Sequence, residues 1–458
     1  MNDQARLKKQ KASDSAHFLH PFTDFHDLAE KGSRIISSAD DCYIQDEENG
    51  RLLDGMSGLW CCSLGYSQPT IVEAIHKQLQ TLPFYNNFFQ CTNIPAATLA
   101  ERLAKIAPSH INNVFFTNSG SEGNDTVLRL IARYWDLEGQ PNKRYVISRK
   151  NAYHGSTIAA ATLGGMSFMH NQFHTIPYVE HVDQPYWFGE GGDLSPEEFG
   201  LKAAQSLERK ILELGEENVA AFIAEPIQGA GGVIIAPDSY WVEIKRILNK
   251  YDILFVSDEV ICGFGRTGKW FGFQHYDMKP DFINFAKAVT NGFQPLGGVL
   301  VGDRVADVLK AKGGEFGHGF TYSGHPAACA AALATLDVIE NENIIDRVAN
   351  DIGPYFRQQL QTLADHELVG EVRSIGMVAA LELAQDKATR TRFAEELGAG
   401  GICRDACIKR GLVMRATGDT MIIAPPLVMS REQVDELVTK ARQALDDTAK
   451  TLRTKAPS

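Results

Sequence analysis

The side chain with the most to explain in this chain is Lys287. It stands in the apolar run "FINFAKAVTNGF", Phe282 to Phe293, and a lysine is almost never fully buried unless a partner or a reaction takes up its charge. Earlier, the run "ILFVSDEV" ends on Asp258 and Glu259, at the carboxyl edge where open α/β sheets bind their ligands. Alone, a carboxylate there serves equally as a helix cap or an ion-pair partner. If the two runs are neighbouring strands, an amine and an acid share one crevice. A lysine that condenses with the aldehyde of pyridoxal phosphate needs such an acid, because a carboxylate bonded to the ring nitrogen keeps the pyridine protonated and able to accept electrons.

Two further stretches carry compatible chemistry. In "TNSGSEGNDTVLRLIARYW" a strand, a glycine-containing turn and a helix follow in order. Ser119, Gly120 and Ser121 then present backbone and hydroxyl donors as a phosphate seat, or form a plain helix cap. In "NAYHGST", Tyr153 can lie flat on an aromatic cofactor and Gly155 permits close backbone approach, or Tyr153 is a core residue beside a turn. Two other motifs fail. "GFGRTGKW" fits the first seven positions of a phosphate-binding P-loop, but Trp270 stands where Ser or Thr must hold magnesium, and no helical pattern follows. "QGAGG", Gln228 to Gly232, has the wrong glycine spacing for a dinucleotide site. The sequence has no HExxH, paired CxxC or GxSxG, and no metal site is expected.

The elements that must position these residues alternate. Strands are expected at "NNVFFTNS", "RYVISR", "VAAFIAEP", "ILFVSDEV", "DFINFAKAV" and "GVLVGD". Helical patterns lie between, such as "SPEEFGLKAAQSLERKILEL" with Ser195 as cap and Pro196 in the first position. This alternation predicts an α/β fold with a mostly parallel sheet covered by helices. From about His325 the pattern changes to long helices, then strand-like "LVGEVRSIGMVAALELA", then a last helix opened by a Ser430–Gln433 capping box. The expected division is a segment 1–65, a large domain 66–325 and a C-terminal part 326–458, the two ends forming a smaller α+β unit. The first dozen residues and "TLRTKAPS" are expected to fray.

With 45 Lys+Arg against 57 Asp+Glu, the net charge of -12 argues against nucleic acid or an anionic membrane as partner. The N-terminal "MNDQARLKKQKASDSAHF" has charges with no apolar run behind them, and "AACAAALATLDVI" is short and interrupted by Asp337. Neither a signal peptide nor a spanning helix is expected, and a cytoplasmic location follows. The 8 cysteines have no framework spacing and are expected as thiols.

The stretches "NSGSEGND", "YHGST", "EPIQGAGG", "DEVICGFGRTG", "AKAVTNG" and "GFTYSGHP" occur in the order and approximate spacing seen in class III pyridoxal-phosphate aminotransferases, the ω-transaminase group. The chain resembles that family from about Trp60 to its C-terminal helix. The resemblance implies fold type I and a homodimer, or a tetramer of paired dimers, with active sites at the subunit interface. By matching position, Lys287 resembles the residue that holds the cofactor covalently and then shuttles the proton between substrate carbon and cofactor. Asp258 resembles the partner of the pyridine nitrogen; Gly120 and Ser121 resemble the phosphate seat. Thr321 of "GFTYSG" resembles the threonine that reaches the neighbouring subunit's phosphate. Tyr153 matches the stacking ring, Val260 the residue on its other face, and Glu225 of "AEPIQG" an acid near the cofactor's hydroxyl. Relatives commonly carry Ala where this chain has Gly123, a helix-weakening change of about 1 kcal/mol. "NGFQPLGG" also varies from commoner forms.

In "GLVMRATGDTMIIAPPL", Arg415 matches a mobile arginine that relatives turn toward a substrate carboxylate. Without the resemblance it reads as a surface arginine on a β-hairpin. A guanidinium grips a carboxylate through two parallel bonds, which makes pyruvate the natural acceptor. Trp60 and Phe88 resemble aromatic walls of a substrate site, and each reads equally as a core residue. The implied reaction moves an amino group from an amine or ω-amino acid to pyruvate, giving an aldehyde or ketone and alanine. Putrescine-like diamines, β-alanine-like acids and arylalkyl amines all suit it. A decarboxylase or aminomutase is the alternative, because fold and cofactor do not fix the bond broken. A cofactor-binding protein without catalysis would be expected to lack Lys287 or Asp258, and both are present.

Overall fold

The computed structural model describes residues 3–455. Its core is a seven-stranded sheet: β1 Ile111–Thr117, β2 Tyr145–Arg149, β3 Val179–Val182, β4 Val219–Ala224, β5 Leu254–Asp258, β6 Phe282–Phe285 and β7 Gly297–Gly302. The strand order is β1-β7-β6-β5-β4-β2-β3. Strand β7 is antiparallel to both its neighbours and every other pair is parallel. All residues of β4, β5, β6 and β7 are buried. Helices cover both faces, so these strands read as unbroken apolar runs rather than alternating ones. Strand β3, Val-Glu-His-Val at the sheet edge, is not among the expected strands; its two polar residues and partial exposure hide it.

Helix Gly120–Leu137 packs on β6 and β7, and Pro196–Leu214 packs on Asp238–Tyr251. Ser195 and Glu198 cap the second of these reciprocally, with Pro196 in its first position as expected. The alanine-rich helix Pro326–Asn341 is buried almost all round and packs against Pro69–Thr81 and Ile94–Ile106. The long helical pattern after it breaks at Asn343, whose φ is 52°, and resumes as shorter helical pieces to Gln361.

Strands from two distant parts of the chain pair with each other. Strands Ile36–Asp40, Tyr43–Asp46 and Gly50–Asp54 form an antiparallel ribbon, and Gly50–Asp54 takes Leu412–Val413 as a parallel partner. A second sheet joins Val369–Ile375, Val378–Leu383, Thr420–Ile423 and Arg415–Thr417. The frayed ends expected from sequence are corrected: Asp3–His17 is a helix, and the final helix Arg431–Lys455 includes Thr451–Lys455. Residues 1–2 and 456–458 lie outside the described part. Ser430 and Gln433 form the expected capping box. All eight cysteines are free thiols. No described helix is long and apolar enough to cross a membrane.

The P-loop-like "GFGRTGKW" serves packing. Arg266 is buried; its Nη1 donates to the carbonyls of Met377 (3.0 Å) and Pro425, and its Nη2 to the hydroxyls of Ser57 and Ser63, both at 3.0 Å. Burial lowers the guanidinium to about 10, yet it stays charged at neutral pH and ties the Ser57–Ser63 segment to the C-terminal sheet. Arg266→Met strands four buried acceptors and should cost about 3 kcal/mol or more in urea unfolding; a loss below about 1 kcal/mol would mean these bonds are not the fastening.

Candidate active site

Strands β5 and β6 are parallel neighbours with Asp258 opposite Asn284. The sequence reading carries β6 through Lys287, but the strand ends at Phe285. Lys287 opens a 3-10 turn, Lys287–Thr290, with φ at 49°. A side chain in this left-handed region carries strain that surrounding structure must hold. The turn brings Lys287 to the wall of a cavity of about 400 Å³. Its Nζ has no hydrogen-bond partner among the described residues. Burial pushes the Lys287 amine below its ordinary value of 10.5; Cys61, Asp258 and Glu225 oppose this, while the like charge of Arg415 adds to it.

Asp258, only 4% exposed, is fixed on both oxygens. Oδ2 accepts from His154 Nδ1 (2.8 Å) and Asn124 Nδ2 (2.9 Å), and Oδ1 from the Val260 N–H (3.2 Å). Glu259, the second carboxylate of "SDEV", belongs to the packing instead. It accepts from the N–H groups of Gly272 (2.7 Å) and Phe273 (2.9 Å) and from the Ser257 hydroxyl (3.0 Å), and burial pushes it up to about 7. Glu225, just past β4, accepts from the N–H groups of Tyr153 (3.1 Å) and Gly229 (2.9 Å), and burial raises its pKa too.

Helix Gly120–Leu137 begins beside the same cavity. Ser119 Oγ accepts from the Glu122 N–H at 3.2 Å, and the Glu122 carboxylate accepts from the Asn118 N–H at 2.7 Å. The N–H groups of Gly120 and Ser121, first in the helix, find no acceptor among the described residues, as the geometry of a helix start dictates. Gly155, at φ 130°, lies so close that an added Cβ would sit 2.8 Å from Ser121 Cα. Ser121 Oγ accepts from the Ser156 N–H (3.1 Å), and the Ser156 hydroxyl bonds Tyr153 OH at 3.0 Å.

Ser119 and Gly155 line one cavity, and so do seven of the eleven residues matched through the family resemblance: Lys287, Asp258, Gly120, Ser121, Tyr153, Glu225 and Val260. Four do not. Trp60 is 2% exposed within an apolar cluster that includes Met56, Ile227 and Ile261, with the Arg415 guanidinium 5.3 Å from its ring centroid. Arg415 is half-buried and forms no ion pair among the described residues; burial lowers its pKa. Phe88 and Thr321 share another face, where Asn87 Nδ2 donates to the Ser323 carbonyl (2.8 Å) and Phe88 packs on Gly319. Sequence reasoning missed Phe22, whose ring stands edge-on to Tyr153 at 6.2 Å, and His154, the partner of Asp258. His154 stood in plain view in "YHGST"; Phe22 carried no local signal.

The class III aminotransferase family model matches residues 28–445. The chain belongs to the class III aminotransferases. This aminotransferase is 55% identical to the putrescine–pyruvate aminotransferase of Pseudomonas aeruginosa, covering 98% of this chain and 99% of that one. It superposes on a thermostable (S)-enantioselective ω-transaminase from Thermomicrobium roseum with a TM-score of 0.93 at 40% identity, over 96% and 98% of the two chains. A thermostable ω-transaminase variant with a tryptophan, a phenylalanine and an arginine replaced was engineered for asymmetric synthesis of enantiopure bulky amines. It superposes with a TM-score of 0.92 at 38% identity, over 97% of this chain and 100% of that one. The family uses pyridoxal phosphate, and the cavity suits it: an amine without a partner, an acid pinned in place, two free N–H groups at a helix start and an aromatic wall.

In the aminotransferase without cofactor, an unfolded lysine titrates near 10.5 and the folded Lys287 lower. Between those two values the unfolded state binds more protons, so this group makes stability rise with pH through the window. Urea midpoints measured between about pH 7 and pH 10 should rise more steeply in wild type than in Lys287→Met. Equal slopes would mean that the amine is ordinarily solvated.

Proposed function

We propose that this aminotransferase transfers an amino group from an amine or ω-amino acid to pyruvate, with pyridoxal phosphate held by Lys287. The reading is carried by the Lys287 amine, unpartnered on the wall of the cavity that also holds the pinned carboxylate of Asp258. Gly120 and Ser121 would hold the phosphate, Asp258 the ring nitrogen, Tyr153 and Val260 the two ring faces, and Glu225 the hydroxyl side. When bound, the cofactor supplies a sink for the electrons left as the substrate C–H bond breaks. Lys287 would take up that proton at its Nζ and hand it back on the same face of the cavity. Burial lowers its pKa and so raises the fraction of free amine able to act as a base near neutrality. Asp258 keeps its orientation through His154 and Asn124, and Glu225 through the Tyr153 and Gly229 N–H groups.

The half-buried Arg415 guanidinium beside Trp60 has no anion of its own among the described residues, which suits it to the carboxylate of pyruvate. The 55% identity to a putrescine–pyruvate aminotransferase favours a diamine as donor. The replaced tryptophan, phenylalanine and arginine of the engineered relative match Trp60, Phe88 and Arg415 in residue type and favour a shared role in amine selection. Phe84, Tyr85, Phe89, Ile94 and Tyr322 are exposed around Phe88 and Thr321, with the Phe84 and Tyr322 rings 5.5 Å apart. Large apolar patches of this kind ordinarily meet a partner. A second copy covering this face would carry Phe88 and Thr321 toward its neighbour's cavity, making a homodimer with shared sites.

An amine-donor panel with pyruvate, read by alanine formation, should find a diamine among the best donors. Lys287→Ala should lower kcat by about a thousandfold or more. Borohydride reduction should trap the cofactor on Lys287; an adduct on another amine, or carbon dioxide release with no need for a keto acid, would overturn the reading. Arg415→Ala should raise KM for pyruvate about tenfold while leaving KM for a diamine within about twofold. Equal changes in both would remove Arg415 from acceptor binding.

A further inference from the structure

Gly123 packs against Asn284 where helix Gly120–Leu137 meets β6. Asn284 is fully buried. Its backbone carbonyl accepts from the Glu259 N–H at 2.8 Å, and its Nδ2 donates to the Gly120 carbonyl at 3.0 Å. That bond sets the orientation of the amide, because a flipped Asn284 would oppose two acceptors. Oδ1 is then left buried and without a partner among the described residues, aimed at Gly123. A Cβ added to Gly123 would overlap Oδ1 and lie only 3.0 Å from Asn284 Cγ and 3.5 Å from Nδ2. The hydrogen that glycine carries in that direction faces Oδ1 in a weak C–H···O contact. What reads in the sequence as a helix-weakening substitution is the steric complement of a large polar neighbour.

The consequence reaches the cavity through Gly120. Asn284 holds the carbonyl of this residue, and the free N–H of Gly120 lies at the cavity wall. Gly120 also sits against Val260, where an added Cβ would come within 2.7 Å of Val260 Cγ2. Asn284 itself pairs in register with Asp258 and lies three residues before Lys287. One side chain therefore joins the start of the helix to the strand that leads to the amine.

We propose that Gly123 and Asn284 form a matched pair that sets the helix start against β6, with Asn284 as a positioning residue for the phosphate of the cofactor. The proposal rests on the pyridoxal-phosphate reading above. Asn284 acts through Gly120 and touches no substrate. An alanine at 123 requires a smaller residue at 284, and an asparagine at 284 requires glycine at 123.

The test is a double-mutant cycle on cofactor-free protein: wild type, Gly123→Ala, Asn284→Ser and the double variant, with folding checked by circular dichroism. Each is titrated by absorbance with pyridoxal phosphate and with pyridoxal, which lacks the phosphate. Gly123→Ala should weaken pyridoxal phosphate about tenfold in the presence of Asn284 and less than about twofold once Ser replaces it. Asn284→Ser alone should weaken it about fivefold through the lost bond to Gly120. Pyridoxal affinity should change by less than about twofold throughout, since general loosening of the cavity would weaken both ligands alike. If Gly123→Ala does not fold, Asn284→Ser against wild type on the two ligands decides. Equal losses for both ligands, or the same methyl cost in both backgrounds, overturns the pairing. Borohydride labelling of wild type separates the two levels: no adduct on Lys287 removes the cofactor reading itself, whereas an adduct accompanied by additive variants removes only the pair.

Discussion

The structure is organised around an amine denied its obvious counter-ion. Asp258 lies on the same cavity wall as Lys287, but His154, Asn124 and the Val260 N–H orient its carboxylate, and the amine makes no hydrogen bond to it among the described residues. An ammonium withdrawn from water without a partner is costly, and the usual resolution is a shift toward the neutral form. Holding Lys287 there demands rigid surroundings. The turn that carries it in a left-handed conformation is followed by Asn291, which is buried; its Oδ1 accepts from the Leu64 N–H at 2.7 Å and its Nδ2 donates to the Gly65 carbonyl at 2.8 Å. Parallel pairing of β5 with β6 then brings the acid and the amine to one edge of the sheet.

Much of this could be read from the sequence because it is written locally. Buried parallel strands announce themselves as apolar runs, and Ser195 and Ser430 mark helix starts through partners three residues away. Seven site residues fell within short stretches that alternate strand, turn and helix, and the sheet edge then gathers them. What escaped depends on contacts between distant parts of the chain. Phe22 meets Tyr153 from a distant part of the chain. Strand β3 carries too little apolar surface to stand out. Gly123 read as a small loss of helix stability because helix propensity is visible in one segment, whereas the space taken by Asn284 is not.

The cavity and the exposed aromatic face divide the candidate residues by reach. Those at the ends of β4 and β5, just past β6 and at the start of the helix after β1 converge within one chain. Phe88 and Thr321 sit on loops tied to each other through Asn87 and Ser323, away from that cavity. Short loops at strand ends fix the cofactor-side groups firmly. The residues on the outer loops are free to differ in shape without disturbing the sheet.

Gly50–Asp54 has its parallel neighbour in Leu412–Val413, far along the chain. During synthesis this strand edge stays open until Leu412–Val413 has left the ribosome. An uncompleted edge invites pairing with foreign strands, and contacts this remote in sequence form slowly. Pairing at this edge is consequently late, and an unfinished nascent chain is exposed to mispairing there.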